Sequence, residues 1–280
     1  MKLRPAAYPN ITRRDFVRDG SFVLAGILAG AARVSAWQAA APALTRQQLI
    51  DDLVAANRIL ADQNVVDGYG HVSVRSSANP QRYLMAASRA PELVTATDIV
   101  EFDLDSNAVS SGGGRTFYRE RYIHGEIYKV RADVHAVVHN HSPEVISFGV
   151  TNVPLRPVYH MAAFIGEGVP VFEIREAGGQ PVSMLVDNPA RGRALAQTLG
   201  NHPATLMRGH GAAVVGNSLP HAVGRCIYLA LNAKLQAEAM ALGGPINFLN
   251  DEEARVTEAS RAADKFERAW ELWKRKAMAK

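Results

Sequence analysis

The run Ala136-Val137-Val138-His139-Asn140-His141 constrains the chain most. Its apolar, β-branched character reads as a strand that ends in polar residues. Ser142-Pro143-Glu144 follows at once and opens a helix, because proline at an early helical position loses no needed hydrogen bond. Two imidazoles therefore stand at a strand end, facing a helix start. A chain that accommodates them has to interleave strands with helices.

The rest of the sequence meets that demand. Thr45 and Gln48 form a capping box, and Leu49, Leu53, Ala56, Ile59 and Leu60 continue a helix to Gln63. Gly68-Tyr69-Gly70 makes a turn, and strands are expected over His71 to Arg75, Tyr83 to Ala86 and Ile99 to Leu104. Ser110 to Gly114 is too short for a linker and reads as a loop. Helices follow over Glu120 to Val130, Ala190 to Leu199 and Ser218 to Leu242, with strands at Ala204 to Met207 and Ala212 to Val215. From Glu252 to Lys276 a helical period runs through Val256, Ala259, Ala263, Phe266, Ala269 and Leu272. These elements make one α/β domain with helices on both faces of a sheet.

The charge needs locating before it is interpreted. Of the formal +4, the excess sits at the N-terminus, in Thr12-Arg13-Arg14-Asp15-Phe16-Val17, ahead of an apolar stretch from Phe22 to Ala32 and the small residues Val34-Ser35-Ala36. That order is a basic region, an apolar core and a cleavage site, and the arginine pair reads as a twin-arginine export signal. Removing residues 1–36 takes six of the 31 Lys/Arg and two of the 27 Asp/Glu, leaving 25 of each. A neutral body without a basic stripe excludes a nucleic-acid binder. The expected location is the periplasm, with no stable membrane span after processing. The sole cysteine, Cys226, has no partner for an internal disulfide and falls in an apolar helical pattern.

His139 and His141, at i and i+2 on a strand, share a face with their Cα atoms roughly 6–7 Å apart. That spacing lets both grip one metal ion. His210 lies between Gly209 and Gly211, which permit a tight backbone path around the ring. Three neutral imidazoles with an open position suit a catalytic zinc acting as a Lewis acid on a carbonyl or enolate oxygen, and Mn2+, Fe2+ or Co2+ suits the same ligands. Glu120, upstream at a helix start, is the candidate acid/base, and His124 shares its helix face four residues on. His135, His202 and His221 read as surface residues.

From Leu44 to Leu242 the sequence resembles the class II aldolase/adducin N-terminal domain family, that of the zinc-dependent L-fuculose-phosphate aldolase. The resemblance rests on Gly70-His71-Val72-Ser73-Val74-Arg75, Glu120 with His124, His139-Asn140-His141 and Arg208-Gly209-His210-Gly211. It implies an α/β fold, a three-layer α/β/α single domain around a largely antiparallel sheet. It also implies a homotetramer, zinc on His139, His141 and His210, and Glu120 as the acid/base. The expected division is a signal peptide over 1–36, a linker over 37–44, the aldolase-like domain over 45–245 and a C-terminal helical extension over 246–280.

The departures from that family point to the substrate. Sugar-phosphate aldolases of the family carry small donors for a phosphate where this chain has His71 and the pair Tyr118-Arg119. These bulkier, partly cationic groups suit a planar carboxylate, which an arginine fork meets bidentately. The loop Ser88-Arg89-Ala90-Pro91-Glu92 and Tyr159-His160-Met161 resemble the family's decarboxylase branch. His71, Ser88, Arg89, Arg119 and His160 are therefore the candidate substrate-binding residues. The expected activity is decarboxylation of a small hydroxy-keto or hydroxy-aryl carboxylic acid through a metal-stabilised enolate. Aldol or retro-aldol cleavage of a hydroxy-carbonyl compound is the alternative, and a non-catalytic interaction module is the reading from another class.

Overall fold

The computed structural model describes residues 44–109, 113–178, 183–261, 264 and 266–279. The twin-arginine segment lies outside the described residues. Helix α1 (Arg46–Asp62) starts on the capping box of Thr45 and Gln48, and its inner face of Leu49, Leu53, Ala56, Ile59 and Leu60 is buried. A seven-stranded sheet follows, formed by β1 (His71–Arg75), β2 (Arg82–Ala86), β3 (Ile99–Asp103), β4 (Ala136–Asn140), β5 (Val171–Phe172), β6 (Ala204–Met207) and β7 (Gly211–Gly216). Their order is β3-β2-β1-β4-β7-β6-β5, and every pairing is antiparallel except β5 with β6.

Side chains alternate across a strand, so each residue's parity decides its layer. Val72, Val74, Leu84, Ala136, Val138, Ala212 and Val214 face one core. That core is filled by α1, by α3 (Pro143–Gly149), and by α6 (Leu219–Leu242). Tyr83, Met85, Val137, Ala213 and Val215 face the other core, against α2 (Tyr122–Val130) and α5 (Pro189–Leu199). A five-residue helix α4 (Ile174–Gly178) completes that side. The architecture is the expected three-layer α/β/α arrangement around a largely antiparallel sheet. His71, Ser73 and His139 share parity with Val137, so they point into the α2 layer.

The C-terminal period is broken in two. Helix α7 (Asp251–Ser260) ends at Arg261, and α8 (Glu267–Met278) begins after Phe266, whose φ of +67° turns the chain. A break resets the phase of a 3.6-residue period, so the expected apolar face holds at Phe266 and Ala269 but not at Val256 and Leu272. Val256 is 52% and Leu272 42% exposed, whereas Trp270, Trp273 and Ala277 are buried against the first core. The Phe266 ring lies where a side chain at Gly224 of α6 would stand, and it stacks on Tyr228 at 5.3 Å. His221 also departs from expectation, being buried near the start of α6.

Gly211 holds the central pairing together. Its φ is +154°, and a methyl group there would overlap the carbonyl oxygen of Asn140 on the neighbouring strand. Gly211→Ala is expected to lower stability by about 2 kcal/mol or more, through strain and a displaced β4. Denaturant unfolding checks this, with an unchanged midpoint as the contrary result.

Candidate metal centre

Two chain segments bring three imidazoles to one point. His139 is the penultimate residue of β4, paired with His71 of β1 and Ala213 of β7, and His141 follows the strand's last residue. His210 sits in the tight turn between β6 and β7, its amide donating to the Met207 carbonyl at 3.0 Å and Gly209 beside it at φ +63°. Asn140, between the two β4 histidines, binds the Ser142 amide through Oδ1 and reaches Cys226 through Nδ2. It therefore tethers the strand end to α6. Burial pushes the Cys226 thiol up to about 12, so it stays protonated and inert.

The ring nitrogens converge. His139 Nε2 and His210 Nε2 each lie 3.0 Å from His141 Nε2. His139 Nδ1 donates to the Ala212 carbonyl at 3.1 Å, which leaves the Nε2 lone pair free for the centre. Glu120 closes the fourth side, with Oε2 3.5 Å from His139 Nε2 and 3.4 Å from His210 Nε2. Its other oxygen accepts from the Val186 amide at 2.8 Å. Burial opposes the charge on Glu120, but the hydrogen bonds and field of His139 and His210 outweigh it and hold the carboxyl well below the usual carboxylate range. Burial, reinforced by His139 and His210, lowers His141 to about 4.

This donor set fits a divalent metal ion. Imidazole nitrogens about 2.0–2.1 Å from a tetrahedral zinc stand roughly 3.3 Å apart, close to the separations found here. Lone pairs gathered this tightly repel unless a cation lies among them. Glu120, His139, His141 and His210 each offer one atom, and these atoms lie within 4.8 Å of one another.

A cavity of about 250 Å³ opens beside the cluster. Its walls include Tyr69, His71, Ser88, Phe117, Tyr118 and Arg119, with Glu120 and His141 at its floor. His71, Ser88 and Arg119 are thus brought to the cluster, and Arg119 reaches Asp187 at 2.7 Å. Arg89 is placed differently. Its Nε donates to the Leu93 carbonyl at 2.7 Å, and only its backbone meets the Tyr118 hydroxyl. His160 does not line the cavity; its ring packs edge-on against Tyr159, and its carbonyl accepts from Arg261. The hydrogen bonds of the His124 ring go to His71 and Ser73. Phe117 and Leu185 complete the apolar wall, and no spacing or motif singles them out in the sequence.

Comparison with known proteins follows this geometry. Residues 51–237 match the model of the Class II Aldolase and Adducin N-terminal domain. The chain is 33% identical over 243 residues to decarboxylase tropJ of Talaromyces stipitatus, covering 79% of this chain and 91% of that protein. It is 31% identical over 220 residues to the 3,4-dihydroxyphthalate decarboxylase of Arthrobacter keyseri, covering 74% and 85%. Among solved structures, the L-fuculose 1-phosphate aldolase of Glaciozyma antarctica superposes with a TM-score of 0.68 at 23% identity, covering 83% of this chain and 89% of that one.

His141→Ala removes the nitrogen that stands 3.0 Å from both other rings. Metal content, measured by elemental analysis after dialysis, is expected to fall from near one ion per chain to a trace. The loss should exceed the roughly 10–100-fold affinity cost of losing an outer-sphere partner, and retained full occupancy would contradict the ligand set. The metal-free protein should also weaken in acid. Burial lowers His124 to about 3 and His141 to about 4, from an ordinary 6.5, so the unfolded chain binds protons that the folded chain refuses. The stability present above pH 6.5 is therefore lost as pH falls toward 4. Thermal unfolding across that range reads the slope, and a flat profile would contradict the burial of neutral rings.

Proposed function

The chain belongs to the class II aldolase and adducin family, and from that premise we propose that it is a metal-dependent lyase that decarboxylates a small hydroxy-aryl or hydroxy-keto carboxylic acid. The observation that carries this reading is the convergence of three imidazole nitrogens and one carboxylate at the floor of a cavity walled by aromatic rings. Decarboxylase tropJ and the dihydroxyphthalate decarboxylase support the reaction type.

His139, His141 and His210 would hold the ion, zinc or a neighbour such as Mn2+, Fe2+ or Co2+. When bound, the ion supplies Lewis acidity that draws electrons from the scissile bond toward a substrate oxygen. The chain's own residues perform the remaining steps. Phe117 and Tyr118 offer aromatic faces for a flat ring within about 250 Å³. Arg119, at the cavity wall, offers a guanidinium to the carboxylate that precedes its loss, exchanging Asp187 for the substrate.

Glu120 moves the proton. The Val186 amide fixes Oε1, so Oε2, on the cluster side, is the oxygen free to exchange. The carboxyl is ionised at rest, with the Val186 amide donating to Oε1. It can therefore accept the proton of the substrate hydroxyl. After carbon dioxide departs with the carboxylate carbon, the electron pair of the broken bond takes that proton, and solvent restores the hydroxyl.

Cleavage of a sugar phosphate fits this wall less well, since Tyr118 and Arg119 stand where small phosphate donors would be needed. Glu120→Gln is expected to keep the metal while turnover falls roughly 10²–10⁴-fold, the usual contribution of a positioned acid/base. The check is carbon dioxide release from a panel of hydroxybenzoic and hydroxy-keto acids, read beside elemental analysis. A variant with undiminished release would remove Glu120 from the reaction, and wild-type metalloprotein that releases none would remove decarboxylation.

A further inference from the structure

Behind the cavity runs a hydrogen-bonded chain that the steps above do not use. His71 Nδ1 lies 2.7 Å from His124 Nε2, and His124 Nδ1 lies 2.6 Å from Ser73 Oγ. Ser73 Oγ in turn lies 2.8 Å from the Tyr128 hydroxyl. His124 and Ser73 are wholly buried, and Tyr128 is 2% exposed. Parity explains the grouping: His71 and Ser73 alternate onto the same face of β1, and His124 and Tyr128 are four residues apart on α2.

Each group in this series has one hydrogen to share, so a single choice of direction settles them all. Tyr128 makes the choice. Its hydroxyl stands 2.8 Å from Ser73 Oγ but 3.4 Å from the nearest alternative acceptor, the His135 carbonyl. The 2.8 Å bond admits either hydroxyl as donor, and with Tyr128 as the donor its hydrogen goes to Ser73 and not to the longer, weaker contact. Ser73 then donates to His124 Nδ1, which must be the acceptor. His124 is buried, and its two ring nitrogens are both committed to neutral partners, so it is the neutral imidazole with its hydrogen on Nε2. That hydrogen goes to His71 Nδ1. The remaining nitrogen of His71, Nε2, has no hydrogen-bond partner among the described residues, and His71 lines the cavity. Tyr118 at 4.7 Å and His139 at 5.0 Å between ring centres pack against the ring.

We propose that Tyr128, Ser73 and His124 are positioning residues that fix His71 in its Nε2–H tautomer, and that this N–H is the donor offered to an anionic oxygen of the substrate. The second half rests on the lyase reading, and the first half does not. A ring free to present a lone pair would repel such an oxygen. The buried hydroxyls therefore act on the substrate at a distance, through the proton they deny to His71 Nδ1.

Neutron diffraction from crystals of the deuterated, metal-loaded wild-type protein locates these hydrogens directly. Deuterium is expected on Nε2 of both His71 and His124, and deuterium on Nδ1 of His71 overturns the assignment. Ser73→Ala, which frees His124 to reverse, provides the kinetic test. Per metal-loaded site, kcat/KM is expected to fall about tenfold or more, the worth of one hydrogen bond to a charged group, with the metal content intact. An unchanged kcat/KM in that variant overturns the positioning role. Because the hydrogens are read without turnover, a wild-type protein with the expected tautomers but no carbon dioxide release would remove the lyase reading and leave the tautomer assignment standing.

Discussion

The pairing of β4 between β1 and β7 is the constraint on which everything else depends. His139 stands opposite His71 on one side and Ala213 on the other. One register therefore places a metal-ligand candidate, a cavity wall and a helix-packing surface together. It also sends the Ala212 carbonyl to His139 Nδ1, so a sheet contact sets the ring's tautomer. A slip of one residue would turn these imidazoles into the opposite, apolar core. Gly211, next to His210, lies so close to the Asn140 backbone that no side chain fits there.

Burial then shapes the chemistry. His141 is held neutral by burial and by His139 and His210 beside it, which keeps its lone pair available. Glu120 experiences the reverse balance, because the donors around it more than offset the cost of burying its charge. Within one small volume the protein thus keeps His141 uncharged and Glu120 ionised. That division is what proton transfer beside a Lewis acid requires.

Much of this was legible in the sequence because it depends on local rules. Strand parity joins His139 to His141, the glycines flanking His210 mark a special backbone path, and capping residues announce α1. The alternation of strands and helices led to the layered architecture. What escaped depends on long-range packing. Arg89 stands in the expected loop, but the turn at Pro91 draws its guanidinium toward Leu93. His124 shares a helix side with Glu120 in sequence, yet the 3-10 turn over Arg119–Arg121 rotates Glu120 toward the cluster and leaves His124 beneath His71. The C-terminal period held only in part because Phe266 adopts a left-handed conformation that few non-glycine residues take, and no motif signals it. Phe117 and Leu185 reach the cavity only through loops whose course is set by the tertiary structure.

X-ray absorption at the metal edge of the metal-loaded protein tests the central claim most directly. The arrangement of His139, His141 and His210 calls for three imidazole nitrogens at about 2.0–2.1 Å, with the multiple scattering that rings produce. An inner shell of that kind would establish the centre on which the proposed chemistry rests. A shell of oxygens alone, or one with fewer than two imidazoles, would contradict it.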